Sequence, residues 1–201
     1  MITAFVGTRD DESIASIRGN GKTCSMTGVS YLDYLAGRKV WANYKTDFAE
    51  ETIGFQAMIN KIRSEYQAGV DRDLILAITE MQQIINSIGS KTDQVLFIDM
   101  FASQLRKYDV DLYYDTQRFN NIHKRLRIHT DNIFMPYKTH MDNEPCNFDR
   151  CKKEHKIFLY SLKPARRKWL KIFHAPNVGR HYNSKEIVYD KLVIPKCAEV
   201  D

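Results

Sequence analysis

Gly19-Asn20-Gly21-Lys22-Thr23 brings together the residue types that hold a triphosphate. Glycines let backbone N–H groups point at phosphate oxygens, a lysine reaches the β/γ-phosphates, and a threonine hydroxyl binds Mg²⁺. The helix expected to follow offers its N-terminus to the same anion. The full pattern, G-x-x-x-x-G-K-[ST], wants a glycine where this chain has Ser16. Removing Arg9 to Ile17 would join Gly7-Thr8 to Arg18-Gly19-Asn20-Gly21-Lys22-Thr23 and complete the pattern directly after a strand. The reading is therefore a phosphate loop carrying a nine-residue insertion, with Gly7, Gly19, Asn20, Gly21, Lys22, Thr23 and Cys24 as the nucleotide-binding set for ATP and Mg²⁺. A chance Gly-rich turn is the competing reading, and a strand before and a helix after the motif speak against it.

Such a loop needs a second strand ending in acidic groups, one to organise Mg²⁺ and one to orient the attacking water. Two segments offer it. Val95-Leu96-Phe97-Ile98-Asp99 leaves only ten residues before the strand expected at Val110, too few for a parallel crossover with its helix. That segment reads as helix, with Asp99 a surface carboxylate. Leu74-Ile75-Leu76-Ala77-Ile78-Thr79-Glu80 leaves ample chain, so Glu80 is the expected water-orienting group and Thr79, where an Asp is usual, the expected holder of a metal-bound water. Thr79 brings no charge, which predicts slow or absent hydrolysis. A helix-initiating Thr-Glu pair is the structural alternative. At the end of the next strand, Gln117 in Tyr114-Asp115-Thr116-Gln117 is placed to sense a γ-phosphate, since sites of open α/β sheets lie at strand C-termini.

A third constellation stands apart. His140, Cys146, Cys151 and His155 fall within sixteen residues, a donor set that suits tetrahedral Zn²⁺. Their spacing is not the familiar C-x₂-C, and two free cysteines with two surface histidines is the competing reading. Cys146, Cys151 and His155 are the first three ligands to expect, with His140 the fourth. Cys197 reads as a packing residue, and packing is also the alternative for Cys24.

These residues need elements to position them. Ile2 to Val6 reads as a buried strand ending at Gly7, and Lys22 to about Ala36 as a helix closed by Gly37. Strands are expected at Lys39–Tyr44, at Leu74–Ile78 as a run covered on both faces of a parallel sheet, at Val110–Tyr114 and at Asn132–Met135. Helices are expected at Glu51–Tyr66, from about Glu80 to Ile88, and from Asp93 to Tyr108. Beyond Pro136 the pattern changes to short β-like runs at Lys156–Leu162, Trp169–Phe173 and Glu186–Ile194. Alternating strands and helices predict a mostly parallel sheet with helices on both faces. The expected organisation is a core over residues 1–136 and a small β-rich elaboration over 137–201 that completes the same domain.

The chain's 201 residues suit one α/β domain, and 43% hydrophobic with 27% charged residues is ordinary for a protein with a buried core. No apolar run approaches the roughly 18 residues of a membrane span, and the N-terminus lacks the pattern of a signal peptide. The expected location is the cytoplasm of its cell or, for a viral protein, the host cytoplasm or the virion. The net charge of +5 is mild. Its distribution is more telling: Lys124, Arg125 and Arg127 form one basic segment and Arg166, Arg167, Lys168 and Lys171 another, suiting a phosphate-bearing partner or simply a solvated face.

The order of motifs carries a resemblance. Gly19-Asn20-Gly21-Lys22-Thr23 is followed by Trp41-Ala42-Asn43, an apolar strand ending Thr79-Glu80-Met81-Gln82, then Ser87 and Leu105-Arg106-Lys107. Asp111-Leu112-Tyr113-Tyr114, Thr116-Gln117-Arg118, Arg125-Leu126-Arg127 and Thr130-Asp131 complete the series. In this order the residues resemble the FtsK/HerA-type P-loop ATPases, nearest in flavour to the zonula-occludens-toxin-like and viral genome-packaging branch. The similarity spans residues 2 to 136, with Tyr182-Asn183-Ser184-Lys185-Glu186-Ile187-Val188 similar to the branch's C-terminal strand. The resemblance implies a three-layer RecA-like P-loop core, ATP and Mg²⁺, assembly into a homo-oligomeric ring (often a hexamer), translocation of double-stranded DNA, and docking on a capsid or portal-like vertex. It makes Gln117 the sensor glutamine and implies an arginine acting on a neighbour's site, for which Arg106, Arg118, Arg125 and Arg127 are open alternatives. The departures are the interrupted loop and Thr79.

Three functions remain in view: an ATP-hydrolysing DNA translocase such as a packaging motor; a nucleotide-binding assembly or filament-export factor with little turnover; and a zinc-stabilised nucleic-acid-binding module with a vestigial loop.

Overall fold

The structure, a computed structural model, describes residues 1–8, 21–70, 73–85, 99–146, 151, 153–163 and 169–182. The elements run β1 (Ile2–Thr8), α1 (Lys22–Leu35), β2 (Lys39–Ala42), β3 (Glu51–Thr52), α2 (Phe55–Gln67), β4 (Leu74–Ile78) and α3 (Met81–Ile84). They continue with α4 (99–104), a 3₁₀ turn at Leu105–Tyr108, β5 (Val110–Arg118), α5 (Lys124–His129), β6 (Asn132–His140), β7 (His155–Lys163), β8 (Trp169–His174) and α6 (Ala175–Gly179). One eight-stranded sheet has the order β3-β2-β4-β5-β1-β6-β7-β8. Every pair from β3 to β6 is parallel, and β6-β7 and β7-β8 are antiparallel.

Alternation along the central strands divides the core in two. Ile2, Ala4 and Val6 of β1, Leu74, Leu76 and Ile78 of β4, and Leu112 and Tyr114 of β5 face α2, whose Phe55, Met58, Ile59 and Ile62 are all buried. The intervening Phe5, Ile75, Ala77 and Tyr113 face α1. Helices on both faces make a three-layer α/β fold, and β4, buried at all five positions, is the continuous apolar run such layering demands. Helix α1 carries Thr27, Gly28, Val29 and Ser30, poor helix formers, so packing rather than propensity holds it. Those small residues let it lie close on the sheet. Gly37, at φ +94°, closes it in the left-handed conformation expected of a glycine there.

Several boundaries differ from the sequence reading. β2 stops at Ala42, not Tyr44, and Glu51–Thr52 pairs with it as a short edge strand, so α2 starts only at Phe55. β5 continues past Tyr114 to Arg118, because Asp115 and Thr116 stay in the ladder opposite Phe5 and Val6. β6 passes through Pro136 to His140. Beyond Phe134 it pairs only with β7, so a missing N–H there costs no ladder bond on the other side. The helix expected over Glu80–Ile88 is described only at Met81–Ile84. That expected over Asp93–Tyr108 is described from Asp99, and it ends as the 3₁₀ turn. The Arg9–Ile17 insertion, Gly19, Asn20, Ser87, residues 93–98 and the strand expected at Glu186–Ile194 lie outside the described residues.

Candidate functional site

Strands β1, β5 and β4 are neighbours and parallel, so their C-terminal ends meet at one edge of the sheet. Helix α1 begins at that edge. Gly21 precedes it with φ +91°, a conformation glycine adopts without strain. A Cβ there would also come within 2.6 Å of Ile157 Cδ1 on β7. Lys22 and Thr23 form the first turn of α1, half-exposed, and the Cys24 thiol turns into the core. Burial, opposed by a hydrogen bond to Tyr182, pushes that thiol up to about 12. What Cys24 offers an anion is its backbone N–H. Gly7 ends the buried run of β1 on the same side.

The organising residue is Asp115, which the sequence reading passed over. It is fully buried on β5. Its Oδ2 accepts hydrogen bonds from Thr23 Oγ1 at 2.6 Å and from Thr79 Oγ1 at 3.0 Å, and its Oδ1 accepts from Glu80 N–H at 2.7 Å. One carboxylate thus ties Thr23, in the first turn of α1, to the end of β4. From the other side, Asn43 after β2 clamps the Thr79 backbone reciprocally. Its Oδ1 accepts from Thr79 N–H at 2.8 Å, and its Nδ2 donates to Thr79 C=O at 3.2 Å. Held this way, Glu80 sits at φ +55°, a left-handed conformation that is uncommon for glutamate and costs energy the surrounding bonds must offset.

Glu80 is half-buried, and Gln82 Nε2 donates to its carboxylate. Burial, then the neighbouring Asp115 charge, raise its pKa above the ordinary value, with Lys22 and the Gln82 bond pulling the other way. Gln117 lies two residues beyond Asp115 and so on the same face of β5, half-buried. Lys22, Thr23, Thr79 and Glu80 are therefore brought together around Asp115, with Gln117 two residues further along the same face of β5.

Other residues carrying the resemblance turn out to brace the fold. Thr130 Oγ1 donates to Leu126 C=O at 2.9 Å and meets Tyr114 Oη at 2.8 Å, while Asp131 accepts from Ile2 N–H at 2.7 Å. Asp99 lies in α4, where Arg125 at 2.6 Å and His129 at 3.0 Å pair with it. The hydrogen bond from His129 first, then Arg125, hold its carboxyl below the usual range. Arg127 bonds Asn120 and lies 6.0 Å from the Phe119 ring, whereas Arg106 is exposed.

His140, Cys146, Cys151 and His155 also converge. One ligand atom from each lies within 4.8 Å of all the others.

No protein-family model matches the sequence, and no curated protein sequence does. Solved structures do match. The N-terminal domain of zonular occludens toxin (Zot) from Neisseria meningitidis aligns at TM-score 0.51 and 17% identity, over 90% of this chain and 98% of its own. The DNA-packaging ATPase B204 of Sulfolobus turreted icosahedral virus aligns at TM-score 0.54 and 14% identity, over 86% and 98%. The genome-packaging NTPase B204 of Sulfolobus turreted icosahedral virus 2, solved with ATPγS, aligns at TM-score 0.51 and 13% identity, over 86% and 96%. This chain shares the Zot–B204 P-loop fold. The three-layer core expected from the motif order is therefore present, and coverage of these domains is nearly complete. Among the described residues no helix is long and apolar enough to cross a membrane.

Proposed function

We propose that this chain is an ATP-hydrolysing motor that moves double-stranded DNA, of the genome-packaging kind. The observation that carries the reading is the Asp115 carboxylate joining Thr23, Thr79 and the Glu80 N–H. A buried carboxylate aimed at the loop threonine fits Mg²⁺, which takes few protein ligands and keeps several waters. It supplies from β5 the charge that Thr79 lacks on β4. A left-handed Gly21, then Lys22 at the start of a fourteen-residue helix, fit a triphosphate.

In this reading Lys22 neutralises the β/γ-phosphates. Thr23, with Asp115 and Thr79 beside it, would hold Mg²⁺. Bound Mg²⁺ supplies the positive charge that stabilises negative charge developing on the transferred phosphoryl group. Glu80, fixed by Asn43 through Thr79, orients the attacking water, and its raised pKa suits a group that takes up a proton. Gln117 senses the γ-phosphate. The likeness of fold to DNA-packaging ATPases is what supports a ring, its DNA and an arginine supplied in trans. Arg106 and Arg118 stay open for that role, since Arg125 and Arg127 already hold partners within the chain.

Thr79 favours a second reading, a nucleotide-gated assembly factor with little turnover. ATP hydrolysis measured with and without double-stranded DNA, beside Lys22→Ala, separates the two. The motor predicts turnover that DNA raises, that salt suppresses, and that Lys22→Ala abolishes. ATP binding with no turnover in either condition would leave the assembly factor.

A further inference from the structure

The hairpin between β6 and β7 has more chemistry than the phosphate site uses. His140 ends β6, His155 begins β7, and the two face each other across the antiparallel ladder with ring centroids 5.0 Å apart. The connecting segment 141–154 offers only Met141, Pro145, Phe148 and the two cysteines as apolar material, too little for a core of its own. Yet it turns its polar ligands inward. Cys146 is 6% exposed and His155 7%, with Cys146 Sγ 3.2 Å from His155 Nε2. His140 Nδ1 is buried and has no hydrogen-bond partner among the described residues. Burying polar groups in so small a cluster is unfavourable unless something satisfies them.

We infer that His140, Cys146, Cys151 and His155 bind one Zn²⁺ as a closed, structural Cys₂His₂ site. All four ligand atoms lie within 4.8 Å of one another, and among the described residues no other set of His, Cys, Asp or Glu converges in this way. Tetrahedral zinc at about 2.0–2.3 Å from nitrogen and sulfur places its ligand atoms on the order of 3.3–3.8 Å apart. A modest contraction of the cluster reaches that geometry. Two thiolates and two imidazoles are the borderline-soft donors that select zinc over Mg²⁺ or Ca²⁺. Four protein ligands leave no open position, so the site is structural, not catalytic. Its work is to tie Cys146 and Cys151 of the connection to His140 and His155, the last pair of the β6–β7 ladder, setting the register of β7, which carries Ile157 against Gly21. The backbone already prepares the fold-back: Cys146 N–H donates to Lys138 C=O at 3.2 Å, His140 N–H to Glu144 C=O at 2.8 Å, and Asn143 takes φ +71°.

Elemental analysis of protein purified without added metal or chelator tests this directly, with thiols counted in denaturant under chelation. The proposal expects one zinc per chain. Extracting it and refilling with Co²⁺ should give the visible absorption and thiolate charge-transfer bands of tetrahedral S₂N₂ cobalt. Cys151→Ser should lower zinc content and thermal midpoint together. Should a cysteine variant fail to fold, the cobalt spectrum of the wild-type chain still decides. Zinc below one tenth of an equivalent with no tetrahedral cobalt spectrum overturns the proposal, as does a Cys146–Cys151 disulfide found as two missing thiols. Because metal content is read without nucleotide, failure here is distinct from failure of the motor reading.

Discussion

At the scale of single residues, Gly21 has little freedom to change. Its φ of +91° excludes an L side chain at low cost, and the space a Cβ would take is occupied by Ile157 Cδ1. Gly21→Ala is expected to weaken ATP binding at least tenfold, read by calorimetric titration. Gly21→Ala combined with Ile157→Val should recover only part, because the second change relieves the contact and leaves the backbone strain. Asp115 teaches a different lesson. Lys22, Thr23, Glu80 and Gln117 stand out by motif order, since each follows a glycine loop or an apolar strand, and they remain proposed site residues. Asp115 lies in plain view between Tyr114 and Thr116, but its importance comes from the strand order β4-β5-β1, which no local pattern encodes. The available signal was a carboxylate directly after the apolar run Leu112-Tyr113-Tyr114, two residues before Gln117.

At the scale of elements, the strands that were easiest to read are those whose environment is simplest. β4 is buried on both faces and was legible to the residue; α1 was legible from its glycine boundaries. β5 and β6 ran longer than their apolar runs because pairing, not hydrophobicity, sustains their ends: Asp115 and Thr116 stay in register with β1, and Pro136 sits where β6 has lost its β1 neighbour. β3 is two residues long and had no periodicity to detect. The proposed zinc ligands are visible in the sequence as residue types, but only the antiparallel pairing of β6 with β7 brings the two histidines face to face. The β2–β4 junction has its own consequence. Asn43 satisfies both backbone polar groups of Thr79 and thereby aims Glu80. Asn43→Ala leaves those buried groups unpaired, at a cost of about 1–3 kcal/mol each. Steady-state kinetics should show a fall in kcat with KM for ATP nearly unchanged, since Lys22 and Thr23 are untouched. A rise in KM at constant kcat would place Asn43 in binding instead.

At the scale of the whole molecule, the sheet brings both proposed sites to one side. β6 runs parallel to β1, so its C-terminal end and the hairpin that follows project on the side where Gly7, Gly21 and Glu80 meet. The strand β7 that leaves the hairpin packs Ile157 and Leu159 beside Phe5 and Met26 in the α1-facing half of the core. Gly21 and the first turn of α1 thus lie between the buried carboxylate on β5, which Thr23 reaches, and Ile157 of the hairpin strand. Basic segments suited to a nucleic-acid backbone are only partly placed: that on α5 is described, with Arg125 engaged by Asp99, and the one at Arg166–Lys168 lies outside the described residues. The account therefore rests on Asp115 making a working Mg²⁺-dependent ATPase of a chain with threonine where an aspartate is usual. The deciding measurement is steady-state ATP hydrolysis with double-stranded DNA over a range of Mg²⁺ concentrations, comparing the wild-type chain with Asp115→Asn. The account predicts Mg²⁺-dependent turnover that drops on the order of 10–100-fold in the variant and needs more Mg²⁺ to saturate, as when a group supporting a metal is removed. An inactive wild-type chain, or a variant matching the wild type in both rate and Mg²⁺ requirement, would contradict it.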